Sequence, residues 1–226
     1  MARESILLDL LEKRDWDGLQ PLVDRFQRWE FYPMFLRAID TLNREVLYES
    51  AIHGLGHIER TICHGAMCAM DEALGEADTA LLLDACSYHD IGRSRDGLDF
   101  EHGSVAARFI GLVTGRGGED LLILKGAVDA HSRKEHQLPE ILDRYHAADR
   151  ERATTIAQLL KDADGLDRVR IWDLDVKFLR RQSSVRREAF AQELYNRYQP
   201  IAGLPLMPDF VPELLRRRAE FAHIWD

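Results

Sequence analysis

Apolar residues recur at three- and four-residue intervals along almost the whole chain, and no run of alternating β-branched residues bounded by turn residues interrupts them. The pattern predicts an all-α protein. Ile6, Leu7, Leu10 and Leu11 form the first apolar stripe, and residues 1–48 read as three or four short helices broken near Asp15-Trp16-Asp17-Gly18 and at Pro33. A long helix is expected from Glu49 to Leu74 with Gly75 as its stop, followed by one over Asp78 to Tyr88. Further helices are expected over 101–114, 119–131, 150–164, 184–198 and 209–224. Arg93 to Asp99 and Ser132 to Ala148 read as polar connections long enough to cover a site. Three segments follow: accessory N-terminal helices over 1–48 packed on the rest, a core over 49–175, and C-terminal helices over 176–226 that complete the same globular unit.

Charge narrows the partners. Lys and Arg total 30 against 39 Asp and Glu, a formal charge of -9, so the average field repels a long nucleic acid but does not exclude a compact anion held by a metal ion and a few arginines. The clusters Arg180-Arg181, Arg186-Arg187 and Arg216-Arg217-Arg218 are interleaved with acids and apolar positions and read as a solvated face. Acids flank the first apolar run, against a secretory signal, and no stretch has the ~18 uninterrupted apolar residues of a membrane span. A cytoplasmic protein is the expectation. Cys63, Cys68 and Cys86 have no zinc spacing, sit in apolar helical patterns and read as buried thiols.

Eight of the nine histidines lie between His53 and His146. His53, His57 and His64 are four and then seven residues apart, which on one continuous helix puts them on a single face with Arg60. Imidazoles on one face can converge on a cation. His89-Asp90 follows at a predicted helix end, where adjacent side chains can both reach one ion.

His57, His89-Asp90 and Asp164 together resemble the H...HD...D signature of the HD superfamily of metal-dependent phosphohydrolases. His57-Ile58-Glu59-Arg60 is similar to the family's first helix motif, Tyr88-His89-Asp90-Ile91-Gly92-Arg93 to its HDIGK form, and Lys161-Asp162-Ala163-Asp164-Gly165-Leu166 to its terminal Ala-Asp element. The local pattern selects Asp164 as ligand over Asp162. Glu101-His102-Gly103 and Ala130-His131-Ser132 resemble the places where binuclear, HD-GYP-like members supply two more ligands, although the chain has Ala130-His131 where those often have a histidine pair. The resemblance therefore implies an HD-like helical bundle and a metal set of His57, His89, Asp90, His102, His131 and Asp164, with Asp90 as the bridge if two ions bind. His102 and His131 would otherwise line the pocket and contact phosphate.

The same resemblance implies one or two divalent ions (Mn, Fe, Co, Ni or Zn) and hydrolysis of a small, nucleotide-like phosphoester by metal-activated water, with Asp90, Arg60 and Arg93 as the catalytic groups. His53 is a further candidate, as a ligand or as an orienting or substrate-contacting group, and Lys161 and Arg133 are weaker candidate cations. His64 reads as structural, and His136, His146 and His223 receive no role. Two other readings remain: a di-iron oxygenase of the same fold, which resembles the same ligand plan, and a non-catalytic nucleotide or metal sensor with a degenerate site, against which the four intact anchors argue. No general acid is identifiable at this level.

Overall fold

The computed structural model describes residues 5–204, and among them are eleven α-helices and no strand. Ser5 caps α1 (Ile6–Glu12), its hydroxyl accepting from the Leu8 amide. Then come α2 (Gln20–Gln27), α3 (Tyr32–Asp40), α4 (Leu55–Asp71), α5 (Glu76–Tyr88), α6 (His102–Thr114) and α7 (Gly118–His131). Finally α8 (Leu138–Tyr145), α9 (Arg150–Leu166), α10 (Gln182–Val185) and α11 (Glu188–Ala202) complete the order, with a 3-10 turn at Asp167–Ile171 between α9 and α10. None of these helices is long and apolar enough to cross a membrane.

The expected elements shift in informative ways. The long helix begins at Leu55 rather than Glu49, because the Ser50 hydroxyl accepts the amides of Ile52 and His53 and so turns the chain before the helix starts. His53 therefore precedes the helix and does not ride on its face. The break expected at Pro33 falls just before it, between Gln27 and Tyr32, and Pro33 itself sits in the first turn of α3, where its missing N–H has no helical acceptor to lose. The connection after Ser132 contains α8, whose Leu138, Ile141 and Leu142 are buried, each contributing about 1.5–3 kcal/mol relative to exposure. The C-terminal helix starts at Glu188, after the separate short turn of α10, and the element expected over 209–224 lies outside the described residues.

α4 is the centre of the molecule. Every residue from His57 to Ala69 is buried, between α3, α5 and α9. α6, α7, α8 and α9 form a packed group in which α7 touches all three others. The flanking helices join each other as well as the core: α1 contacts α11, and Trp16 stacks on Phe190 at 5.4 Å while its indole N–H donates to the Leu10 carbonyl. The three cysteines are free and buried in the common apolar cluster.

Of the described arginine pairs only Arg186 is solvated as expected. Buried Asp162 accepts the backbone amides of Arg180 and Arg181 and the Arg180 guanidinium, and nearly buried Arg187 pairs with Asp71. These carboxylates anchor the segment between α9 and α11 to the core.

Two glycines let elements meet at the future site. A Cβ on Gly92 would run into the backbone of α6 at His102 and Ala106, and one on Gly103 would stand 2.6 Å from the Val128 carbonyl of α7 and 2.7 Å from Ser132 Oγ. Gly103→Ala should therefore force α6 off α7, cost about 1–3 kcal/mol in urea unfolding, and lower metal retention by parting His102 from His131. Wild-type stability in that variant would show that the close approach is not required.

Candidate metal centre

Helix ends converge on one buried point. His57 sits in the first turn of α4, His89 caps the C-terminus of α5 with Asp90 directly after it, His102 opens α6, His131 closes α7, and Asp164 lies in the last turn of α9. The five side chains other than Asp164 are almost completely buried, whereas Asp164 is 25 % exposed and marks the side on which solvent reaches the site.

The hydrogen bonds behind the rings determine what the rings present to each other. His57 Nδ1 donates to Asp167 Oδ2 at 2.8 Å, His89 Nδ1 to the Cys86 carbonyl at 2.9 Å, His102 Nδ1 to the Asp99 carbonyl and His131 Nδ1 to the Val128 carbonyl. Carbonyls and ionised carboxylates only accept, so each Nδ1 holds the proton and each neutral ring turns an Nε2 lone pair inward.

Those lone pairs face one another and Asp90. His57 Nε2 lies 3.2 Å from His89 Nε2, 3.6 Å from Asp90 Oδ2 and 3.4 Å from Asp164 Oδ1. His102 Nε2 lies 2.8 Å from His131 Nε2, and the two stand 3.0 and 3.5 Å from Asp90 Oδ1. Donors bound to one ion at ~2.1 Å, at angles of 90–110°, lie roughly 3.0–3.4 Å apart, so the spacing fits a metal. Two groups could hold one, His57–His89–Asp90 and Asp90–His102–His131, and the two oxygens of Asp90 face different groups. Asp90 Oδ1 is buried without a hydrogen-bond donor.

Electrostatics keep the set ready. Burial lowers His57 to about 4, with the Arg170 charge adding to the effect against the pull of Asp167, and burial likewise lowers His131 to about 4. Both rings are neutral at pH 7, the form that can ligate a metal. Burial alone would raise Asp90, but positive charge beside it, of which the Arg93 guanidinium on Oδ2 is permanent, holds it well below the usual carboxylate range. Asp164 is likewise held low against its burial, with the Arg170 charge acting on it.

The remaining candidates fall in different places. Arg93 donates from Nε to Asp90 Oδ2 at 2.9 Å and keeps a buried Nη1 without a partner. Arg60, expected to face the reacting oxygen, is fully buried, bonded to Asp167 and stacked on Tyr195 and Tyr198, because the turn of α4 after His57 faces α11 and the Asp167 turn. Lys161 is buried and donates to the Ala130 and Arg133 carbonyls while pairing with Glu135, which makes it a C-terminal cap for α7. Arg133 grips Glu101 with both terminal nitrogens. Asp162 points the other way, to Arg180 and Arg181, since two helical residues separate directions by about 200°.

His53 keeps contact with the site from its loop: its ring lies 6.0 Å from that of His57, and its Nδ1 is 3.0 Å from Asp96 Oδ1. His64 is buried with neither nitrogen bonded. His136 and His146 are exposed, and His223 lies outside the described residues. Sequence reading missed Asp167, Arg170 and Asp96. The first two were marked only by their spacing from Asp164, three and six residues along the same helical path.

The HD domain family matches residues 54–169, just over half of the chain and a span that contains all six candidate ligands. No curated protein and no solved structure matches it.

Acid should unfold the metal-free protein from this centre outward. A histidine at about 4 when folded and about 6.5 when unfolded takes up its proton first in the unfolded chain, so stability falls as pH drops through that window, by up to about 3 kcal/mol per residue. His64→Leu should flatten that slope in urea unfolding at pH 7, 5.5 and 4.5 and leave metal content unchanged. Lost metal in His64→Leu would place His64 in the site after all.

Proposed function

The chain belongs to the HD domain family, whose members are mostly metal-dependent phosphohydrolases, and on that premise we propose that it hydrolyses a small, nucleotide-like phosphoester. The observation that carries the reading is the pair of donor groups on opposite oxygens of Asp90. His57, His89 and Asp164 would hold one divalent ion and His102 and His131 a second, with Asp90 between them. Such ions supply Lewis acidity that lowers the pKa of a water and polarises a phosphoryl oxygen.

The chain's own residues would do the rest. Arg93 lies against Asp90 and has donors to offer a phosphoryl oxygen. Arg170 donates from Nε to the Ile52 carbonyl and from Nη1 to the Asp167 carbonyl, and its charge acts on His53, His57 and Asp164 alike. Arg93 at the site and the buried Arg170 charge close to it would favour the charge that grows during in-line displacement more than the ground state. His53, whose Nδ1 donates to Asp96, leaves an Nε2 lone pair that could accept from a substrate hydroxyl. An acidic chain whose positive charge is gathered this compactly would favour small anions over polynucleotides.

Elemental analysis of anaerobically purified protein should approach two ions per chain, the His102→Ala, His131→Ala double variant should keep about one, and Asp90→Ala should keep neither. A full complement in Asp90→Ala would refute the site.

The activity test is phosphate release from nucleotides, cyclic nucleotides and sugar phosphates with Mn, Fe, Co or Ni. Arg93→Ala and Arg170→Ala should each lower kcat/KM about 10–100-fold, the scale of a lost charge-assisted bond. Oxygen consumption with a polyol or phosphonate, and no phosphoester turnover, would replace the hydrolase by an oxygenase, while metal binding without turnover of any kind would leave a sensor.

A further inference from the structure

Of the four inward-facing imidazoles, three are held from behind by backbone carbonyls three residues earlier in the chain, and only His57 is held by a carboxylate. That carboxylate, Asp167, is fully buried and saturated. Its Oδ2 accepts from His57 Nδ1 at 2.8 Å and Arg60 Nη2 at 3.0 Å, and its Oδ1 accepts from Arg60 Nε at 2.6 Å. Arg170 Nη1 adds a charge 3.6 Å from Oδ2. Asp167 thus lies on the Nδ1 edge of the ring, opposite the lone pair.

Arg60 is held in turn. Its guanidinium carbon lies 4.6 Å from the Tyr198 ring centre and 5.2 Å from that of Tyr195, two rings one turn apart on α11. Tyr198 Oη also donates to Glu59 Oε2 at 3.4 Å, and a Cβ on Gly56 would stand 2.9 Å from that hydroxyl and 3.2 Å from Arg60 Nη1. No slack exists between α4 and α11 here. α11 lies beyond the family-matched span, yet it reaches the first candidate ligand through two contacts.

We propose that Asp167 is a positioning residue for the metal centre, fixing the tautomer and ring direction of His57, and that α11 holds Asp167 in place through Arg60. The consequence is an asymmetric centre: the donor group containing His57 has a charged partner behind it and a more basic imidazole, whereas the group containing His102 and His131 has only carbonyls. The inference rests on the metal-site reading above and not on the reaction assigned to it.

Cobalt(II) titration of the metal-free full-length protein, followed by visible absorption, tests it. Asp167→Asn should weaken one of two sites about 10–100-fold and alter its absorption band, with the other site unchanged, and Tyr198→Leu should weaken the same site to a smaller degree. Because Asp167→Asn leaves Arg60 buried without its partner, the double variant Asp167→Leu, Arg60→Leu removes both charges together and should show the same selective loss. In the zinc-loaded wild type, proton NMR should place the His57 Nδ1 proton further downfield than those of the three carbonyl-bonded rings. Wild-type affinity and spectrum at both sites in either folded variant, or a His57 proton no different from the others, would overturn the positioning role. Failure of the wild type to bind cobalt at all would overturn the metal-site reading with it, and the presence or absence of hydrolysis bears on neither.

Discussion

Four imidazole lone pairs and two carboxylates crowd into one largely dry space, a concentration of electron density that favours positive charge in its midst. Protons cannot provide it at neutral pH, since burial keeps His57 and His131 neutral and every Nδ1 proton is already committed outward. Divalent cations can. A place for such ions would account for so many donors gathered where apolar side chains would otherwise pack.

The fold meets that demand by bringing helix ends, rather than helix middles, to the site. A helix interior offers one side chain per turn on a given face, whereas a terminus lets neighbours such as His89 and Asp90 turn toward one point. Helix ends also leave carbonyls free, and the Cys86, Asp99 and Val128 carbonyls serve as acceptors for the imidazoles. Bare glycines at 92 and 103 allow the approach.

Around this centre the cations differ in their commitments. Arg93 keeps a donor to offer, Arg170 is buried on the Ile52 and Asp167 carbonyls, and Arg60 is withdrawn into the core, where removing its charge partner would be costly. The accessory helices share in this inner layer: Arg44 lies 3.6 Å from Glu59, and Tyr198 joins Glu59 to α11. N- and C-terminal segments are thus tied to the helix that carries His57.

The helical period and the ordered motifs at His57, His89-Asp90 and Asp164 determined the all-α class and the place along the chain where chemistry would lie, because both are local properties readable one turn at a time. The convergence of His102 and His131 on Asp90 was foreshadowed by resemblance alone. What only the tertiary structure decided depended on distant partners: Arg60 turns inward because Asp167 lies 107 positions later, Lys161 is buried because the carbonyls of another helix receive it, and His53 leaves the helix because Ser50 takes its amide. A charged side chain has no preferred side until an opposite charge or an unmet hydrogen bond is folded against it, and such partners come from the packing of helices far apart in the chain.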